Sequence, residues 1–184
     1  EPIGNFGETY SKDNSSIFYN GIKVKEADVD SHRVIDKSHH KDKQRVYFAR
    51  DSLSDDPENF EVLSKAFSKD NKNVYWRKKK ISEDSEHFEI FPSERSNAYA
   101  KDSKNAYWGW KIIEDADLES FVGLNHNYAK DKNKVYFKVN SGNSPDVLEN
   151  ADPETFELVR GEKGIDAKDK NNRYNSGTIR KKRK

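Results

Sequence analysis

Apolar and polar positions along this chain return in the same order about every 30 residues, the signature of a tandem array. Six Lys-Asp pairs mark the period: Lys12-Asp13, Lys41-Asp42, Lys69-Asp70, Lys101-Asp102, Lys130-Asp131 and Lys168-Asp169, spaced 29, 28, 32, 29 and 38 residues apart. With each Lys as position zero, position five is Ile17, Val46, Val74, Ala106, Val135 or Arg173. Position six is always aromatic: Phe18, Tyr47, Tyr75, Tyr107, Tyr136, Tyr174. Position seven is Tyr19, Phe48, Trp76, Trp108, Phe137 or Asn175, and two residues before the Lys stand Tyr10, His39, Phe67, Tyr99, Tyr128 and Asp166. A unit this short cannot bury a core alone and must stack on its neighbours.

The Asp- and Asn-rich stretch after each Lys is turn chemistry, because these side chains bond their own backbone. The aromatic run behind it favours a strand. Asn20-Gly21 after Ile17-Phe18-Tyr19 predicts a two-residue hairpin, since both residues accept positive φ. Half a period later comes an Asp-x-acid-x-Phe block, from Asp56 to Phe60, Asp84 to Phe88, Asp117 to Phe121 and Asp152 to Phe156, with Asp28 to His32 as a variant. Asp152-Pro153-Glu154 reads as a helix start, so one helical turn is expected in each unit. The four block phenylalanines, Phe60, Phe88, Phe121 and Phe156, are expected in the core.

The predicted fold is therefore mainly β: an elongated array of short strands and hairpins with one short helical turn per repeat. A single repeat-array domain is expected over residues 1–178, with units starting near 12, 41, 69, 101, 130 and 168. Residues 1–11 read as the second half of an incomplete unit. The sixth unit has lost its paired aromatics and reads as a cap. The extra residues between Ile90 and Tyr99, and those around Asn140 to Pro145, read as longer loops.

Only 32% of residues are hydrophobic and 36% are charged, which argues for small repeated clusters over one large core. Cysteine is absent, excluding disulfides, thiolate metal ligands and a Cys nucleophile. No apolar run is long enough to span a bilayer. The net charge of +1 hides an asymmetry: Arg160 to Lys184 hold ten basic and three acidic residues. Residues 179–184 form a basic tail, with Arg180, Lys181, Lys182, Arg183 and Lys184 able to attract nucleic acid or a ribonucleoprotein in a salt-dependent way.

Repetition of Lys-Asp-x-x-x-Val-Tyr-aromatic, clearest in Asp131-Lys132-Asn133-Lys134-Val135-Tyr136-Phe137, with Ala151-Asp152-Pro153-Glu154-Thr155-Phe156 downstream, resembles the bacterial DKNYY family. The resemblance runs from Tyr10 to about Tyr174. It implies a bacterial repeat protein of secreted or cell-envelope context and carries no catalytic residue with it.

Neither a Gly-rich phosphate loop nor a nucleophile elbow is present. The Asp turns lack the full oxygen set of a calcium loop, and the five histidines match no ligand spacing. No metal, cofactor or catalytic residue is expected. His32 and His39 stand where other units hold Phe or Tyr, as packing substitutes. The candidate binding surface is the position-seven series Tyr19, Phe48, Trp76, Trp108 and Phe137, an outward aromatic ladder for a protein or glycan partner. The expected role is a non-catalytic interaction module, secreted or in the envelope. The rival reading is an inhibitor or immunity-type protein that grips another protein or a ribonucleoprotein through one face.

Overall fold

In a computed structural model, residues 9–93, 98–138 and 144–180 are described. The chain divides into two compact units, Glu1–Glu86 and His87–Lys184. Among the described residues there is no helix, and the strands form six small antiparallel sheets.

The first unit holds three of them. Strands Tyr10–Lys12, Ile17–Tyr19 and Ile22–Lys23 make the first sheet. Arg33–Val34, His39–Lys41, Val46–Phe48 and Asp51–Ser54 make the second, and Glu61–Val62, Phe67–Lys69, Val74–Trp76 and Lys79–Ser82 the third. The second unit repeats the plan with Glu89–Ile90, Tyr99–Lys101, Ala106–Trp108 and Lys111–Ile113; then Val122–Gly123, Tyr128–Lys130, Val135–Phe137 and Asp146–Val147; then Glu157–Leu158, Ala167–Lys168, Arg173–Asn175 and Thr178–Ile179.

Each Lys-Asp pair sits at the tight turn of the central hairpin. There Lys130 pairs with Val135, Ala129 with Tyr136, and Tyr128 with Phe137. The chain then turns back through position eight. This residue is left-handed in the copies with a short turn: Asn20 (φ 48°), Ala49 (57°), Arg77 (53°), Gly109 (58°) and Ser176 (48°). In the first four its N–H donates to the carbonyl three residues before the Lys, as Ala49 N does to Ser38 O at 2.7 Å, and Ser176 N donates to Asp166 Oδ2 at 2.8 Å. Gly21 and Gly177 follow with φ of 74°, so Asn20-Gly21 forms the expected hairpin turn with both residues at positive φ.

Two features refine the sequence reading. The Asp-x-acid-x-Phe block stops at a single turn and does not run on into a helix. Its Asp caps in helix fashion: Asp152 Oδ1 accepts from Thr155 N at 3.0 Å and Thr155 Oγ1 at 2.7 Å. The chain leaves immediately afterwards to form the strand Glu157–Leu158. Pairing with the next hairpin satisfies the backbone at once, whereas a helix nucleus fixes three residues for a single bond. The second follows from it. The apolar pair after that turn is a fourth strand, and it opens the next copy's sheet: Val122 pairs with Lys130 and Gly123 with Ala129. Sheets and sequence repeats are therefore out of phase.

Within each unit the cores lie between successive sheets. Phe91, Tyr99, Ala106, Ile113 and Phe121 close against Ala129 and Tyr136 in one cluster, and Tyr128, Val135 and Phe137 close against Phe156, Ala167 and Tyr174 in the next. In the first unit Ile17 and Val24 meet Tyr47. Phe121 and Phe156 are buried as expected, while Phe60 and Phe88 are half-buried. The residues of the two loop insertions lie mostly outside the described set, as do residues 1–8 of the incomplete first unit.

Candidate functional site

The repeated polar residues build a scaffold before they can build a site. In each Lys-Asp pair the carboxylate folds back over its own turn. Asp131 Oδ1 accepts from Asn133 N and Lys134 N, both at 2.7 Å, while Oδ2 accepts from Tyr136 OH at 2.6 Å and Asp117 N at 2.9 Å. Asp169 repeats this with Asn171 N, Asn172 N, Tyr174 OH at 2.7 Å and Asp152 N at 2.9 Å. So does Asp42, with Gln44 N, Arg45 N, Tyr47 OH at 2.9 Å and Asp28 N at 3.0 Å. At Asp70 the Ser54 hydroxyl takes the last place, 2.6 Å away, beside Tyr75 OH at 2.6 Å. Asp102 bonds Tyr107 OH at 2.7 Å.

Burial by itself would raise the pKa of these carboxyls. The donors outweigh it, and Asp42, Asp131 and Asp169 all lie below the ordinary carboxylate range. Asp70, bonded by two hydroxyls and two amides, falls to about 2. The phenols respond the other way: burial first, then the adjacent carboxylate, raises Tyr47, Tyr75, Tyr136 and Tyr174 above the usual tyrosine value.

The Asp-x-acid-x-Phe turn docks on this lock. Ser120 Oγ, itself held by Asp117 Oδ1 at 2.6 Å, accepts from Lys132 N at 2.9 Å, and Lys132 Nζ returns to Asp117 Oδ2 at 2.8 Å. Thr155, Lys170 and Asp152 repeat the set, with Lys170 Nζ 2.8 Å from Asp152 Oδ2. The position-zero lysine reaches forward. Lys130 Nζ donates to Pro153 O and Phe156 O, both at 2.9 Å, and Lys41 Nζ to Pro57 O at 2.7 Å. The Lys130 hairpin thereby clasps the turn before it and the turn after it.

The aromatic ladder is partly covered. Tyr19, Phe48, Trp76 and Trp108 are half-buried, and Phe137 is buried. Each pairs across the hairpin with the buried residue two before the Lys: Tyr19 with Tyr10, Phe48 with His39, Trp76 with Phe67, Trp108 with Tyr99, Phe137 with Tyr128. Cations lie over the tryptophans, Arg77 4.9 Å from the Trp76 ring and Lys138 4.4 Å from Trp108. Alternation assigns two faces to a strand, and here the position-seven face is partly covered.

What stands outward is a row that sequence reading did not single out. On the fourth, edge strand of each sheet in the second unit, the residue paired with the position-six tyrosine is apolar: Ile112 opposite Tyr107, Val147 opposite Tyr136, Ile179 opposite Tyr174. All three are exposed, at 42%, 38% and 41%. In the first unit the same place holds Ser52 opposite Tyr47 and Lys80 opposite Tyr75. The signal was present in the sequence as an apolar residue after the later hairpin turns, hidden by the variable loop length.

His32, His39 and His40 are buried; His32 and His39 fill aromatic places, while His40 stands where the other hairpins hold Ser or Ala. Among the described residues no three His, Asp or Glu side chains converge as metal ligands. Of the basic tail, Arg180 is described, its N–H donating to Arg173 O at 2.8 Å; residues 181–184 lie outside the described set. No helix is long and apolar enough to cross a membrane.

A family model described as the DKNYY family matches the chain twice, over residues 10–140 and 41–178. No curated protein and no solved structure matches.

Proposed function

Because the chain belongs to the DKNYY family, and its repeated polar residues are spent on the scaffold, we propose that it is a non-catalytic macromolecular interaction module. The observation that carries this reading is the row Ile112, Val147 and Ile179, three exposed apolar side chains at one structural position in consecutive sheets. A folded chain this rich in charge has little reason to keep such a row in water unless a partner covers it. The partner class is protein, since these are branched aliphatic groups on edge strands, which suit side-chain packing and strand pairing more than sugar stacking. The same proposal places the protein in the secreted or envelope fraction of a bacterium, on the strength of the family resemblance.

The test is affinity capture from separated envelope, secreted and cytosolic fractions, with the intact chain and its Ile112→Lys/Val147→Lys/Ile179→Lys variant as baits. Retention of a defined protein by the first and not the second is expected. Equal retention by both baits would move the contact elsewhere. Capture of a ribonucleoprotein that dissolves with salt would favour the inhibitor-type reading.

A further inference from the structure

The core at the second sheet departs from the others, and the departure is chemical. Where the fourth copy has Phe121 and the fifth copy's hairpin has Ala129, the corresponding places hold His32 and His40. Both imidazoles are buried, at 5% and 0% exposure, and they lie in series. His40 Nε2 meets Ala49 O at 2.8 Å, so this nitrogen carries the proton. The neutral ring then presents a bare Nδ1, which receives His32 Nε2–H at 2.8 Å. That leaves His32 Nδ1 bare, buried and without a hydrogen-bond partner. Both rings sit at the seam between the first two sheets. Tyr10 of the first sheet packs edge-on to His40 at 5.0 Å, and Tyr47 of the second stacks on its other side at 4.9 Å.

We infer that the His32–His40 pair is an acid-sensitive latch that holds the first two sheets together while neutral and releases them when protonated. A proton on His40 Nδ1 abolishes the bond from His32. A proton on His32 Nδ1 places a cation in a buried site with no acceptor for it. The charged groups around the pair are mixed. Asp42 favours the imidazolium, but its Oδ2 is already held by Asp28 N and Tyr47 OH. Arg33 beside His32 and Lys12 on the first sheet oppose it, and His39 opposes a charge on His40. Tyr10 and Tyr47 stay neutral, raised by burial. Burial, then the neighbouring ring, lowers His32 to about 4, and burial lowers His40 as well. A histidine depressed in the folded state contributes fully above its ordinary pKa of about 6.5, and the contribution drains away as pH falls from there toward the folded value.

The test compares thermal melting of the intact chain with that of His32→Phe/His40→Ala, which installs residues the other copies carry at these places. Between pH 7 and pH 4.5 the natural chain should lose at least about 5 °C more than the variant, a shift within reach of one depressed histidine in a small domain. Parallel curves would overturn the latch. Should the variant fail to fold, imidazole NMR of the natural chain decides: titration of His32 and His40 below pH 6 supports it, and titration at the ordinary value refutes it.

Discussion

Tyr136 donates a hydroxyl hydrogen bond to Asp131, five residues earlier, across 2.6 Å inside the hairpin that joins them. The same relationship links Tyr47 to Asp42, Tyr75 to Asp70, Tyr107 to Asp102 and Tyr174 to Asp169. The first copy has Phe18 at this place and cannot make it. Tyr136→Phe therefore removes a bond to a buried charge while keeping the ring. A loss of about 1.5–3 kcal/mol in denaturant unfolding is expected. A change indistinguishable from zero would mean that Asp131 is held by its amides alone.

Phe121 joins two sheets of the second unit, touching the rings of Phe91, Tyr99 and Tyr136 at centroid distances of 5.8, 6.2 and 5.8 Å. Phe121→Ala should cost about 3–5 kcal/mol, the range for a large-to-small core change. The same truncation at half-buried Phe60 should cost visibly less, and equal costs would argue against the burial difference.

The carboxylates give a second acid response, separate in pH from that of the histidines. Asp70 falls from an ordinary 3.8 to about 2, because the Ser54 and Tyr75 hydroxyls and two amides outweigh the effect of burial. A depressed acid contributes fully above its unfolded value and loses that contribution as pH falls through the folded one. Melting temperature should therefore drop between about pH 4 and pH 2. Asp70→Asn should melt lower at neutral pH and show a shallower drop in that window.

Ala49 occupies a left-handed turn position with φ of 57°, where the fourth copy has Gly109 at 58°. A Cβ there costs about 1–2 kcal/mol, against about 0.5–1 kcal/mol of extra chain entropy for glycine. Ala49→Gly should consequently stabilise the chain slightly, read as a rise in the denaturation midpoint. A fall would show that Ala49 packs more than it strains.

Gly123 faces the opposite constraint. A Cβ on it would stand 2.6 Å from Phe91 Cβ and 2.9 Å from Tyr99 Cβ. Gly123→Ala should therefore destabilise the chain by about 1–3 kcal/mol through overpacking, measured by thermal or chemical unfolding.

The period, the hairpins and the Asp turns were legible because each rests on local chemistry repeated many times. Asn20-Gly21 announced its turn, and the invariant aromatic at position six announced the packing. The Asp-x-acid-x-Phe block was legible as a capped turn, but where that turn stops was not. Asp152 and Pro153 are the same residues that start a helix, and only the partner strand at Ala167–Lys168 decides that the turn ends after three residues. How far the ladder is covered was not legible, because alternation cannot report what a neighbouring sheet covers. Tyr136 showed its ring in the pattern but not its hydroxyl bond, although Phe18 was a clue: the one copy without a phenol is also the first.

The phase shift between sheet and sequence repeat bears on how such a chain can lengthen. Every sheet from the second onward takes its first strand from the copy before it, as Val122–Gly123 does for the hairpin at Lys130. Recombination between equivalent codons of two gene copies would join the front of one repeat to the back of another at any point along the period. The product would still supply each hairpin with a preceding turn, a first strand and a docking Asp. Gene duplication can then add or remove whole copies without leaving a broken sheet at the junction, so the architecture tolerates changes of number far better than changes of spacing.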